Sequence, residues 1–385
     1  MTQPHDGSPT HPPHEPPLVQ LLTPSGERAE HPDYRSELGI DQLRSMYRDM
    51  VLIRRVDREA TALQRQGELG LWASLLGQEA AQIGSARALL PQDYAFPTYR
   101  DHGVAWCRGI DPIHLLALFR GLNQGGWDPA RYNCALYTIV IGAQTLHATG
   151  YAMGVQRDGA VGTGDPDRDT AVIAYLGDGA MSQGDVSEAF VFASVTNAPV
   201  VFFCENNQWA ISEPNERQTR VPIYRRAAGF GFPGVRVDGN DVLAVHAVTT
   251  AALRRARSGS GPTLIEAFTY RMGAHTTSDD PTRYRAAAEL EVWKAKDPID
   301  RLRALLERET EDASGWIADV EVQADELAAR LREECLALLD PEPSSMFDHV
   351  HHEPHAQVVE ERAWFETYQR SFADSGSDGD LEVTR

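Results

Sequence analysis

The stretch "TAVIAYLGDGAMSQGDVSEAFVFASVTNAPVVFFCENN", residues 170–207, decides the fold. It opens with TAVIAYL (170–176), a short apolar, β-branched run of the kind buried on both faces of a parallel sheet. MSQGDVSEAFVFASVTN (181–197) predicts a helix, with Ser182 placed to cap its start and Asp185 three residues on in capping-box position. APVVFFCE (198–205) is a second apolar run of strand length. Strand, helix and strand with short connections make a βαβ unit, whose crossover is right-handed in nearly all proteins.

Working outward, GVRVDGND (234–241) and GPTLIEAFTYR (261–271) predict further strands. Between them DVLAVHAVTTAALRRARSG (241–259) predicts a helix that ends in Arg254, Arg255 and Arg257, where the macrodipole favours cations. Upstream, Ile40, Leu43, Met46, Met50, Ile53 and Val56 recur at helical spacing across 39–67. Residues 77–90 and 111–121 predict two more helices, the second closed by Gly121. Alternating strands and helices argue for an α/β fold with a doubly wound, mostly parallel sheet, and 287–340 adds a charged helical part outside it. The expected organisation is a disordered arm over 1–36, one domain over 37–355, and a C-terminal helix with an acidic tail over 356–385.

Composition narrows the function classes. Of 385 residues, 42% are hydrophobic and 24% charged, as in globular proteins. No apolar stretch reaches the length of a membrane span, and the proline-rich start MTQPHDGSPTHPPHEPP lacks the parts of a secretory signal. A formal net charge of −20 makes the chain a poor ligand for nucleic acid. Cys107, Cys134, Cys204 and Cys335 form no C-x-x-C pair, which argues against a zinc site or disulfide framework and for a reducing, cytoplasmic setting. Cys204 reads as a strand core residue. HVHHEPH (349–355) carries metal-ligand types but reads better as an exposed polar tail, and Arg225 and Arg226 as a solvated or subunit-facing patch.

The chemistry centres on Asp178, set between Gly177 and Gly179 where a strand ends. Ligands of open α/β sheets bind beyond the carboxyl ends of the strands. The helix start that follows favours an anion, yet a bare carboxylate repels one unless a cation lies between. That points to Mg²⁺ bridging Asp178 and a phosphate. Asn207 follows Asp178 by 29 residues, at the end of the neighbouring strand, and can offer an amide oxygen to the same cation. The pattern is neither G-x-G-x-x-G nor a Walker loop.

G-D-G followed by N-N at this spacing resembles the magnesium and diphosphate motif of thiamine-diphosphate enzymes. The segment 177–212 is similar to the alpha subunit of 2-oxo acid dehydrogenases, the decarboxylating first component of those complexes. YRDHG (99–103) resembles that family's Y-R-x-x-G segment, and YRMGAHTTSDDPTRYR (270–285) its active-site phosphorylation loop. The resemblance runs from about residue 40 to 355 and implies the thiamine-diphosphate-binding fold. By this resemblance Asp178, Asn207 and the backbone carbonyl of Trp209 hold magnesium; the family commonly has tyrosine at that last place. Tyr99 and Arg100 hold the diphosphate, and Gly177, Gly179 and Ala180 line it. Ile141 packs against the aminopyrimidine. Some members bind potassium near that segment through hydroxyl side chains; Ile139, Val140 and Ala143 here argue against it. His275 resembles the loop histidine that assists acyl transfer, a role that suits a proton handler near neutral pH. Asp279 and Asp280 are expected to order this loop against Arg283 or Arg285, or else to form a solvated cluster. A phosphate on Thr276, where animal members carry a kinase-target serine, would repel the diphosphate.

The resemblance implies only half a site, because the glutamate that activates the cofactor belongs to the family's beta subunit. It implies an α2β2 heterotetramer docked on a lipoyl-bearing acyltransferase core and acting on a small 2-oxo acid. Residues 235–257 and 275–285 look closer to branched-chain members, the 2-oxoisovalerate type, than to pyruvate members. Pyruvate and acetoin dehydrogenases are the alternatives within the class. Outside it stands a non-catalytic binding subunit that retains the fold, which loss of Asp178, Asn207 or His275 would have favoured.

Overall fold

The computed structural model describes residues 18–122 and 126–375. The first 17 residues of the expected arm and the tail from 376 lie outside them. Five parallel strands form the central sheet: β1 (Tyr94–Phe96), β2 (Val172–Gly177), β3 (Val200–Asn206), β6 (Gly234–Asp238) and β7 (Thr263–Phe268), in the order β1-β2-β3-β7-β6. Two-residue strands β4 (Trp209–Ala210) and β5 (Glu213–Pro214) form a separate antiparallel hairpin.

Side-chain alternation explains why the strands read as unbroken apolar runs. Ile173, Tyr175, Val201, Phe203 and Ile265 enter one core, with the helices Ile40–Arg65, Glu79–Ala86 and Val242–Arg257. Val172, Ala174, Leu176, Val200, Phe202 and Cys204 enter the other, against the helices Ala143–Arg157 and Gly184–Thr196. Both faces are therefore covered, as a parallel sheet requires. Each fully buried Val, Ile, Leu or Phe contributes roughly 1.5–3 kcal/mol. The β2–β3 register pairs Gly177 with Glu205, so Asp178 and Asn207 leave the sheet at the same edge.

Several expectations are corrected. Ser182 does not cap the crossover helix: Asp178–Ser182 form a 3-10 turn, and the helix begins at Gly184 with no side-chain cap. Residues 18–36 are not a structureless arm. The Val19 amide donates to the Arg236 carbonyl at 3.1 Å, and the Asp238 amide to the Val19 carbonyl at 2.9 Å. Leu21 and Leu22 are buried, and both their amides donate to Asp241 Oδ2 at 2.6 Å. Asp241 also caps the helix Val242–Arg257, accepting from Leu243 and Ala244. Gly121 closes the helix Pro112–Arg120 at φ +86°, as read.

The described chain divides into two units, through Leu336 and from Ala337 onward, rather than at 355. In the second, the Phe347 ring lies 5.6 Å from that of Phe365 in the helix Ala356–Ser375, and Arg362 pairs with Asp348 at 2.7 Å.

Candidate active site

A cavity of about 240 Å³ opens at the carboxyl ends of β2 and β3. The ten residues expected to hold cofactor or metal or to act in catalysis all line it: Tyr99, Arg100, Ile141, Gly177, Asp178, Gly179, Ala180, Asn207, Trp209 and His275. Asp178 begins the 3-10 turn and is 2% exposed. Burial pushes its carboxyl up to about 6, against the opposing pull of its hydrogen bonds. Asn207 donates from Nδ2 to Gln78 Oε1 at 2.8 Å, which leaves its oxygen to accept from the Trp209 amide at 3.2 Å. The chain then turns tightly. Gln208 and Ile211 both sit at positive φ, +72° and +55°, and for β-branched Ile211 that is a strained conformation. Here the hairpin crosses so close to Gly179 that a Cβ there would lie 2.7 Å from the Ala210 Cβ.

Two guanidiniums face this cavity without a carboxylate partner among the described residues. Arg100 donates to the carbonyls of Ser74 at 2.5 Å and His275 at 2.7 Å. Arg271, fully buried, donates to the carbonyls of Trp209 at 3.0 Å and Ile211 at 2.7 Å, and to the Tyr284 hydroxyl at 3.0 Å. Its Nε is buried with no partner. Burial, followed by the Arg100 charge, lowers Arg271 to about 10. An uncompensated pair of buried cations is a site that wants an anion.

His275 Nδ1 lies 3.2 Å from Arg100 Nη2 and 3.4 Å from Arg271 Nη1. Guanidinium nitrogens only donate, so Nδ1 must accept and the ring proton sits on Nε2. Burial, then Arg100 and Arg271, hold this imidazole down to about 4, so it is neutral at pH 7. Its backbone amide donates to Asp279 Oδ2 at 2.8 Å, and the Tyr284 hydroxyl donates to the same oxygen. Asp280 instead caps the next turn through Thr282. The loop is thus ordered by Asp279 without Arg283 or Arg285; Arg285 donates to the carbonyls of Arg271, Met272 and Gly273.

Other residues at the site escaped the sequence reading. Asp101 and Glu205 form a buried carboxyl pair on the cavity wall, where burial and the neighbouring acid raise Glu205 well above its ordinary range. Gln78, Gln144 and Gln218 reach the site as neutral amides; a glutamine has no local signature that marks it. Gln144 Oε1, Gln78 Nε2 and Glu205 Oε1 are buried without a partner, capacity that suits a bound ligand. Among the described residues no three of His, Cys, Asp and Glu gather into a metal cluster, so any cation here relies on mixed oxygen donors.

The family model for the dehydrogenase E1 component matches residues 47–335. The chain belongs to the dehydrogenase E1 component family. It is an E1 subunit of the 2-oxo acid dehydrogenases, enzymes that work with thiamine diphosphate. The E1 chain is 46% identical over 342 residues to the 3-methyl-2-oxobutanoate dehydrogenase subunit alpha of Mycobacterium tuberculosis, covering 89% of this chain and 90% of that one. It is 39% identical over 328 residues to the pyruvate dehydrogenase E1 component subunit alpha of Bacillus cereus, covering 84% and 85%. The Staphylococcus aureus subunit of the same name is 39% identical over 292 residues, covering 75% and 76%.

Proposed function

We propose that the chain is the alpha subunit of a branched-chain 2-oxo acid dehydrogenase, which binds thiamine diphosphate through Mg²⁺ and passes the acyl group to a lipoyl arm. The observation that carries this is the cavity itself. At one strand edge it joins a buried carboxylate (Asp178), an amide oxygen (Asn207) and two guanidiniums without acid partners (Arg100, Arg271). That set suits a cation with a pyrophosphate. Asp178, Asn207 and the Trp209 carbonyl are hard oxygen donors of the kind magnesium takes. The Trp209 carbonyl accepts one bond from Arg271 and keeps a second lone pair.

When bound, thiamine diphosphate supplies the carbanion chemistry of decarboxylation. The chain's own residues do the rest. Arg100, with Tyr99 beside it, orients the diphosphate, and Arg271 neutralises its charge. Ile141 gives the ring system an apolar wall. Neutral His275 presents Nε2–H as a donor to the substrate or the lipoyl group, with Nδ1 anchored by two guanidiniums.

Ile141 and Ile211 line the cavity yet are 41% and 56% exposed, and adjoining Ile139 and Val140 are 60% and 71% exposed. So much apolar surface at a mouth supports a covering chain, the beta subunit of an α2β2 heterotetramer. An acyltransferase core is the further partner. Four cysteines without disulfides support a reducing, cytoplasmic setting. Among the described residues no helix is long and apolar enough to cross a membrane.

The greater identity to the 3-methyl-2-oxobutanoate enzyme than to the pyruvate enzymes favours the branched-chain substrate. The test is to co-express the chain with its beta subunit and assay decarboxylation of 2-oxoisovalerate and pyruvate, with and without thiamine diphosphate and Mg²⁺. Cofactor-dependent turnover with a higher kcat/KM for 2-oxoisovalerate is expected. A preference for pyruvate would move the assignment to that enzyme, and no turnover of either would end it.

A further inference from the structure

Two glutamines hold the side chains of Asp178 and Asn207. Either carboxylate oxygen of Asp178 can meet a cation, whereas only the oxygen of the Asn207 side-chain amide can. Asp178 Oδ2 accepts a hydrogen bond from Gln218 Nε2 at 3.1 Å. Gln218 ends the short helix Asn215–Gln218 that follows the β4–β5 hairpin. Its Nε2 also lies 3.4 Å from the Glu213 carbonyl, which anchors the amide on its own turn. Asn207 has the opposite need. Its Nδ2 would repel a cation, and it is taken up by Gln78 Oε1 at 2.8 Å. Gln78 immediately precedes the helix Glu79–Ala86 and is wholly buried. One glutamine acts as donor and the other as acceptor, each matched to the atom it occupies.

We propose that Gln218 and Gln78 are the positioning residues of the cation site: Gln218 ties down Asp178 Oδ2 so that Oδ1 faces the cation, and Gln78 takes the Asn207 amide hydrogen so that its oxygen does. This rests on the assignment of Asp178 and Asn207 as ligands. Neither glutamine touches the cation. Hydrogen bonds that orient ligating side chains are worth 10–100-fold in metal affinity when removed.

The chemistry predicts an asymmetry that a space-filling role would not produce. Glutamate in place of Gln78 still accepts from Asn207 Nδ2. Glutamate in place of Gln218 loses the donor and sets a second carboxylate against Asp178. Methionine removes the polar atom at either place and keeps the volume.

The test uses the cofactor-stripped complex with the beta subunit, at saturating thiamine diphosphate. Mn²⁺ is the probe, its free signal followed by electron paramagnetic resonance, so no turnover is needed. Gln218→Met, Gln218→Glu and Gln78→Met are expected to raise the Mn²⁺ midpoint about 10–100-fold, and Gln78→Glu to stay within about threefold of the parent. Thermal melts of each variant show that the fold is kept, and the two glutamate variants decide the case should a methionine variant fail to fold. Asp178→Ala is the control for the underlying reading. If it binds Mn²⁺ like the parent, the cation site itself is misassigned. If Asp178→Ala loses binding while a Gln218 or Gln78 methionine variant keeps the parent midpoint, the positioning role of that glutamine is overturned. Equal behaviour of Gln218→Glu and Gln78→Glu overturns the donor–acceptor logic.

Discussion

Replacing Gly179 by alanine would place a methyl carbon 2.7 Å from the Cβ of Ala210. Two carbons rest about 3.5–4.0 Å apart, so the hairpin must withdraw by about 1 Å. Gly179 is not in the positive-φ region, so the alanine adds no backbone strain, and the whole effect comes from this contact. Overpacking of this kind costs about 1–3 kcal/mol. The displaced residues include Trp209, whose carbonyl is a proposed cation ligand, so the cost should fall on cofactor binding: about 5- to 150-fold in affinity at tenfold per 1.4 kcal/mol. Isothermal titration of thiamine diphosphate into the complex with the beta subunit measures it. The decisive variant is the pair Gly179→Ala with Ala210→Gly. There the nearest atom to the new methyl becomes the Ala210-position Cα at 3.6 Å, an ordinary contact, and affinity should return to within a few-fold of the parent. Unchanged binding in the single variant, or a pair as weak as the single, would refute the packing argument.

Two other outcomes follow from the same geometry. Cofactor-free His275 should titrate near 4 rather than 6.5, as nitrogen-15 NMR of the imidazole would read. Its folded value is lowered, so its contribution to stability is full above pH 6.5 and declines as the pH drops toward 4. Thiamine diphosphate bound at the proposed site would set an anion beside Arg100 and Arg271 and should move the value upward; titration at 6.5 or above without cofactor would contradict the assignment of its neighbours. Asp241→Ala removes the acceptor of four backbone amides and should cost about 2–5 kcal/mol. Hydrogen exchange at Leu21 and Leu22 should accelerate ahead of the sheet, and unchanged exchange there would show that the carboxylate does not hold that segment.

The parts of the fold legible in the sequence are those whose causes are local. The runs at 172–176 and 200–204 are apolar throughout because both faces of the sheet are covered, and run length alone marks them. Asp178 and Asn207 stand out because a strand end, a glycine pair and a fixed spacing coincide. What was missed has long-range causes. β1 has three residues, too few for a period, and exists by pairing with Val172–Ala174. The helix Ala143–Arg157 buries Ala148, Thr149 and Ala152 rather than a stripe of large residues, so its pattern is faint. Residues 18–22 are placed by Asp241 and β6, more than two hundred positions away. Ser182 failed as a cap because it closes the 3-10 turn that starts at Asp178, and the helix begins only at Gly184.

The bridge between Val19 and Val237 has a consequence for how the protein behaves in a crowded solution. A parallel sheet ends in two strands with spare amides and carbonyls, and a bare margin of that kind recruits any extended chain that drifts past. At β6 the margin is shielded by Val19; at β1 it is shielded by bridges from Ala95 to Cys134 and Thr98 to Thr138. Irregular backbone thus seals both flanks. Clipping the chain before residue 23 should leave an enzyme that still folds its centre but clumps with its own kind on warming.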